Sequence, residues 1–266
     1  MRILVTGANG FLGSSVVREL QEPRLGDSFV VSEWAGRRDG NFLNSLDRAG
    51  VLARFLPNVV VHCAWHSTTQ DRYEHAYVHS QWADATIAFA AECRKREAHI
   101  VHLGSAVDYV ASSSRHLDRS HYAASKQRLR LVALTNSKDF RQSTWLSPQY
   151  VFSMSARRPR LLRDLIESVD PASFIPINPL AVHDYIHVND VAAAVRVVLE
   201  NRICGLVYVG TGQLFTNGDF VTAAQFSLGL ISHRKKVTPR MSDQSPGFLQ
   251  SLGWIPKTTL DFFGLS

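Results

Sequence analysis

Lysine is scarce in this chain: of the 29 Lys and Arg residues among 266, only six are lysine. Cysteine is scarcer still. Cys63, Cys93 and Cys204 stand at unrelated spacings with no C-x-x-C and no zinc pattern, which excludes a disulfide scaffold and a zinc framework. They read as reduced thiols of a cytoplasmic protein. No apolar run approaches the roughly 18–20 residues of a membrane span. Gly7 and Asn9 also interrupt the start of the chain where a signal peptide needs an unbroken apolar stretch. The basic residues are scattered rather than striped along one helix, which argues against nucleic acid as a partner. Composition gives no sign of disorder, with 45% hydrophobic and 20% charged residues. The net charge of +6, carried mostly by arginine, suits an anionic ligand. A genome rich in G and C leaves the same bias, so charge alone decides nothing.

What is present alternates. Arg2-Ile3-Leu4-Val5-Thr6 reads as a strand, and Phe11, Leu12, Val16, Val17 and Leu20 recur at helical spacing after it. Further strands are predicted at residues 28–31, 59–64, 100–103 and near 143–146. Helices are predicted at 51–56, roughly 77–95 and around 122–134. This alternation implies right-handed crossovers and a mostly parallel sheet. After Phe152 the chain becomes rich in Ser, Arg and Pro, then turns regular again with a strand at 183–188, a helix at 190–199 and a strand at 205–209. The expected organisation is a nucleotide-binding domain over residues 1–152, completed by about 183–212. Residues 153–182 and 213–266 form a small substrate-binding lobe.

Thr6-Gly7-Ala8-Asn9-Gly10-Phe11-Leu12-Gly13 lies between the first strand and the first helix. Gly7 permits a turn closed to other residues, Gly10 lets the backbone approach a pyrophosphate, and Gly13 lets helix pack on sheet. The helix then offers free N–H groups and a positive dipole end to the phosphates. A Gly-rich turn alone is weak; in this setting it points to a dinucleotide.

Tyr122-Ala123-Ala124-Ser125-Lys126 puts a phenol and an ammonium on one helix face. A neighbouring positive charge favours the phenolate and brings a phenol toward useful acid–base catalysis. Seventeen residues before Tyr122, at the C-terminal end of the fourth strand, stands Ser105 in Gly104-Ser105-Ala106. That edge is where ligands bind in such sheets.

Together these segments resemble the extended short-chain dehydrogenase/reductase family, that is, the NAD-dependent epimerase/dehydratase type. The resemblance takes in the N-terminal TGANGFLG, Gly40-Asn41-Phe42-Leu43-Asn44, and Pro57 to Ala64, which is similar to the family's PDVVIHxAA. His183 to Ala192 is similar to RDFIHVDDVA, and Leu252 to Thr258 to LGWxPxxxL. It implies an α/β fold with a Rossmann-type doubly wound parallel sheet, and Ser105, Tyr122 and Lys126 as a catalytic triad. It implies Gly7, Asn9, Gly10, Phe11, Leu12 and Gly13 at the pyrophosphate. Asn41 and Phe42 would lie beside the adenine, and Cys63, Ala64, Trp65 and Tyr150 would line the cofactor cleft with Tyr122 and Lys126. The sequence departs from the pattern at Asn41 (for Asp), His183 (for Arg), Ser80 or Gln81 (where an Asn is usual) and in a short interval between Ser105 and Tyr122.

Arg37 and Arg38 follow the second strand and suit the 2′-phosphate of NADPH, whereas Glu33 would suit NAD. The expected activity is NADPH-dependent reduction of a keto group, at C4, on a nucleotide-diphosphate deoxysugar. Tyr122 would donate the proton, Ser105, Gln149, Arg157, Arg158 and His183 would contact substrate, and no metal would take part. Arg160 is a further basic candidate. His62 and His66 read as core or rim residues. Trp82 and Phe89 read as core or as a homodimer interface, since family members often pair through that helix. The rival readings are an epimerase or dehydratase holding NAD tightly, with Asp108 near the site, and a non-catalytic dinucleotide sensor.

Overall fold

β1 (Arg2–Thr6) is buried over four of its five residues, and β3 (Val59–His62) over all four. Such continuous apolar runs belong to parallel strands covered on both faces. They occur here in a computed structural model that describes residues 1–24, 29–36, 39–66, 76–108, 120–135, 143–154, 160–233, 237–244 and 246–258. The chain divides into two compact units, 1–147 with 195–207, and 148–194 with 208–266.

The first unit is built on a six-stranded sheet. In addition to β1 and β3 it contains β2 (Val30–Trp34), β4 (His99–Leu103), β5 (Ser143–Pro148) and, later in the chain, Gly205–Val209. The order is β2-β1-β3-β4-β5 followed by the 205–209 strand. β1 pairs in parallel with both β2 and β3, so the strand order reverses there, at the end of β1. β4 continues the parallel ladder to β5. Its helices are α1 (Phe11–Gln21), α2 (Ser45–Phe55), α3 (Ala76–Lys95) and α4 (His121–Thr135). α2 begins earlier than its apolar spacing suggests because the Asn44 side chain caps it, accepting from Leu46 and Asp47 N–H. On α3, His79, Ala83, Thr86, Ala90 and Cys93 are all buried. That alternating four-and-three spacing forms a stripe along one face.

The second unit has its own four-stranded sheet. β6 (Tyr150–Phe152) pairs in parallel with β7 (Val182–His187), which runs antiparallel to a strand at Gln213–Thr216. That strand in turn pairs with Arg240–Met241. The division at Ser147 therefore differs from an expected boundary at residue 152. Residues 150–152 and 183–187 belong to this second sheet and not to the first, so the lobe is larger than its sequence breaks suggested. Asp184 explains part of that pairing. Its buried carboxylate accepts from Tyr208 Oη (2.6 Å), Thr211 N (2.9 Å) and Gly212 N (2.8 Å). Asp190 fixes the Leu252 to Thr258 segment, accepting from Lys257 N and Thr258 N at 2.9 and 3.0 Å. Among the described residues no helix is long and apolar enough to cross a membrane.

Candidate active site

The glycine turn follows β1 at the point where the sheet order reverses, the position where ligands sit in doubly wound sheets. Gly7 has φ +65°, and a Cβ there would come within 2.8 Å of the Ala64 backbone at the end of β3. A Cβ on Gly13 would lie 2.1 Å from the Gly7 carbonyl oxygen. Gly10 N–H donates to that same oxygen at 2.8 Å, closing the turn. Gly10 caps α1 without a side chain, and the first turn carries no acidic residue. The N–H groups of Phe11, Leu12 and Gly13 therefore open an anion site with no competing carboxylate. The residues present fit a dinucleotide pyrophosphate.

Beyond the turn, Asn9 Nδ2 reaches the Ala35 carbonyl (3.5 Å) and Ala8 N–H the Trp34 carbonyl (3.3 Å). Asp39 Oδ2 accepts from Ala35 N–H (2.9 Å). Arg37 and Arg38 lie outside the described residues, as do Arg157 and Arg158. Glu33 is exposed on β2, where Gln21 Nε2 donates to it. Asn41 is exposed, and its Oδ1 accepts from Leu43 N–H at 3.1 Å. Phe42 departs from expectation. Its ring is 7% exposed and stacks between His62 (4.9 Å) and Trp82 (5.4 Å), so only its backbone is left for a ligand. Phe89 is wholly buried against it, in the core.

A polar row crosses the sheet beneath this edge, because Trp34, Thr6, His62, His102 and Trp145 are register partners on successive strands. Its hydrogen bonds have one consistent direction. Thr86 Oγ1 donates to the Trp82 carbonyl (2.8 Å), so it accepts from His62 Nε2 (3.1 Å). His62 Nδ1 then accepts from Thr6 Oγ1 (2.8 Å), which itself accepts from Ala64 N–H (3.3 Å). His62 is thus a neutral, satisfied core residue, its pKa held well below the usual value by burial and by His102 and Lys126. The row ties β3 to β1 at the glycine turn and holds the Ala64 backbone against Gly7. Cys63 beside it is raised to about 12 by burial, an inert thiol.

On α4, Tyr122 lies one turn before Lys126. The Lys126 ammonium is buried, donates to the Leu103 carbonyl at the end of β4 (3.0 Å) and lies 5.9 Å from the Tyr122 ring centroid. Burial lowers its pKa to about 8, with Asp108 and Cys63 pulling the other way. Trp65 packs edge-on to Tyr122 at 6.1 Å, and His79 from α3 does so at 5.5 Å. The end of β4 continues through Gly104 and Ser105 into a short 3-10 turn, Ala106–Asp108, against which α4 packs. Tyr122, Lys126 and the Ser105 turn are thereby brought to one edge of the first sheet. His66 flanks the same aromatic group, 6.5 Å from both His79 and Trp82.

Sequence reasoning weighed Asp108 only as a dehydratase acid. Here it is fully buried and accepts from Ser105 N–H, Trp145 Nε1 and Ser147 Oγ. In the second unit Tyr150, 39% exposed, stacks on His183 at 3.6 Å, and Gln149 N–H donates to the Val209 carbonyl (3.0 Å). Burial lowers His183 to about 4, so it is neutral at physiological pH. Among the described residues no group of His, Cys, Asp and Glu is placed to hold a metal ion.

The model of the NAD dependent epimerase/dehydratase family matches residues 3–209. The chain belongs to that family. It is a family of enzymes that depend on a nicotinamide dinucleotide. No curated protein sequence matches the chain. Among solved structures it is similar to the UDP-glucose 4-epimerase of Thermus thermophilus in complex with NAD, with 21% identity over 99% of each chain and a TM-score of 0.72. It is also similar to the GDP-mannoheptose C4 reductase of Campylobacter jejuni with NADP bound, at 14% identity over 99% of this chain and 96% of that one, TM-score 0.76. A dTDP-4-dehydrorhamnose reductase from Clostridium acetobutylicum shares 18% identity over 92% and 86% of the two chains, TM-score 0.71. At these identities the likeness establishes the Rossmann-type fold.

Proposed function

We propose that this family member is an NADPH-dependent reductase of a keto group, at C4, on a nucleotide-diphosphate deoxysugar. The observation that carries the reading is the buried Lys126 ammonium held by the Leu103 carbonyl beside the Tyr122 ring. A desolvated positive charge next to a phenol, beside the Ser105 turn, has a clear chemical use in stabilising the phenolate left when a proton is given up. The C4 reductase and the dehydrorhamnose reductase among the structural neighbours are consistent with it.

Gly7, Asn9, Gly10, Phe11, Leu12 and Gly13 would hold the pyrophosphate, Arg37 and Arg38 the 2′-phosphate, and Asn41 with the Phe42 backbone the adenine. Cys63, Ala64, Trp65 and Tyr150 would contact the rest of the cofactor. When bound, the reduced nicotinamide supplies hydride. Ser105 Oγ donates a hydrogen bond to the substrate carbonyl oxygen, and Tyr122 protonates that oxygen as charge develops on it. Lys126 offsets the charge left on Tyr122. Gln149 and His183, together with Arg157 and Arg158, are the proposed substrate contacts. His183, being neutral, would do so through a hydrogen bond rather than by charge. Asp108 is fully engaged by donors, which disfavours dehydration.

The test is a panel of dTDP- and UDP-4-keto-6-deoxysugars with the purified chain. Oxidation of added NADPH that depends on the keto-sugar supports the reading. A chain that arrives with NAD bound and interconverts UDP-glucose and UDP-galactose without added NADPH would replace it with epimerisation. Cofactor binding without turnover on any of these would leave a dinucleotide sensor.

A further inference from the structure

We infer that Asp108 is the positioning residue for Ser105, setting the direction in which the serine side chain leaves the backbone through a closed hydrogen-bonded ring. The inference rests on the reading of Ser105 as the hydroxyl that meets the substrate carbonyl.

The ring is reciprocal. Asp108 Oδ2 accepts from Ser105 N–H at 2.7 Å, and Asp108 N–H donates back to the Ser105 carbonyl at 3.1 Å. Both backbone polar groups of Ser105 are therefore held by one residue, which fixes its Cα–Cβ direction. The carboxylate is anchored from behind. Trp145 Nε1 donates to Oδ2 at 2.9 Å, and Ser147 Oγ lies 3.2 Å from Oδ1, both from β5. Arg130 on α4 stands 3.9 Å from Oδ1. The carboxylate has no solvent exposure, so these bonds are not in competition with water.

Gly104 is matched to this arrangement. A Cβ there would lie 2.3 Å from Asp108 Oδ2 and 2.4 Å from Trp145 Nε1, so the bond between them occupies the space a side chain would need. Gly104 N–H also donates to the Leu146 carbonyl at 2.7 Å, which locks the end of β4 to β5. Gly104, Ser105, Asp108 and Trp145 thus form one device. A displacement of about 1 Å at a reacting group costs on the order of 10²-fold in rate, which gives such a ring its value.

Asp108 has a second reach, through charge. The groups facing it are Arg130 and Lys126 from α4 and Trp145 and Ser147 from β5. Those facing Lys126 are Asp108, Cys63, His62, His102, Trp65 and Tyr122. The Asp108 carboxylate is the first of the groups that keep Lys126 protonated against its burial.

Two variants separate the proposal from a merely structural role. Asp108→Asn keeps an acceptor for Ser105 and Trp145 but removes the charge; Asp108→Ala removes both. Hydrogen exchange at the Ser105 amide is followed by NMR, NADPH affinity is measured as a function of pH, and turnover is measured on dTDP-4-keto-6-deoxyglucose. In Asp108→Ala the Ser105 amide should exchange faster and kcat should fall about 10²-fold. Asp108→Asn should restore the amide's protection and keep kcat within about tenfold of wild type, one hydrogen bond's worth. In both variants the alkaline loss of NADPH affinity should move to lower pH. The proposal is overturned if Ser105 exchange in Asp108→Ala matches wild type, or if Asp108→Asn exchanges as fast as Asp108→Ala. An unshifted pH profile overturns its electrostatic part. Exchange and cofactor affinity need no keto-sugar, so a wild type that reduces none defeats the proposed function and leaves these readouts decisive.

Discussion

The Lys126 ammonium lies 4.1 Å from the centroid of the Trp65 ring. A charge 6% exposed loses most of its hydration, and the Trp65 face and the Leu103 carbonyl return only part of it. The folded chain therefore carries a stability cost at the position where the proposed reduction needs a cation.

That cost has a pH signature. Lys126 is lowered to about 8 in the folded chain from an ordinary 10.5. Between those values the unfolded chain binds a proton that the folded chain does not, so stability rises with pH across the window, by about 3 kcal/mol in all. The Tm of Lys126→Met minus that of wild type should be largest below pH 8 and shrink toward 10.5, other groups cancelling in the difference. A difference flat across that window contradicts the burial of a charged Lys126.

The glycines separate in a second prediction. Gly13→Ala places a Cβ 2.1 Å from the Gly7 carbonyl oxygen, backbone against backbone, while at Gly50 in α2 nothing lies within 4 Å. Gly50→Ala should stabilise the chain by roughly 0.5–1 kcal/mol, as expected in an exposed helix. Gly13→Ala should destabilise it by about 1–3 kcal/mol as overpacking does, and weaken NADPH binding by displacing the turn. Chemical unfolding and a fluorescence titration measure both. Equal effects of the two substitutions would remove the steric case for the phosphate turn.

Much of the fold was legible because parallel strands covered on both faces are continuous apolar runs, as in Val59-Val60-Val61. The Tyr122/Lys126 pair was legible through helical spacing. What was not legible depended on long-range pairing. Tyr150–Phe152 falls within the domain expected over residues 1–152, yet it pairs with β7 of the second sheet, because nothing local tells a strand which sheet it joins. Phe42 is expected beside the adenine, and what the sequence does not show is that its ring lies in the core between His62 and Trp82, partners 20 and 40 positions away. Asp108 was passed over as a scaffold residue because its donors, Trp145 and Ser147, lie on another strand. A Gly-Ser-x-x-Asp spacing ahead of a strand containing Trp was the only signal it left.

The proposed preference for NADPH rests on Arg37 and Arg38, which follow β2 in the sequence. Replacing both with alanine should raise the Kd for NADPH by about tenfold or more, the loss of a charge-assisted phosphate contact, while changing that for NADH little. Wild type binding NADH as tightly as NADPH would point instead to NAD as the working cofactor.

In the proposed reaction Tyr122 gives the proton to a substrate carbonyl beside a cofactor held independently of it. Wild type and Tyr122→Phe, titrated with NADPH and then assayed on a dTDP-4-keto-6-deoxysugar, test it most directly. Similar NADPH affinity is expected in the two proteins, with a turnover about 10²–10⁴-fold lower in the variant, the range of a lost general acid. Turnover in Tyr122→Phe close to that of wild type would contradict it.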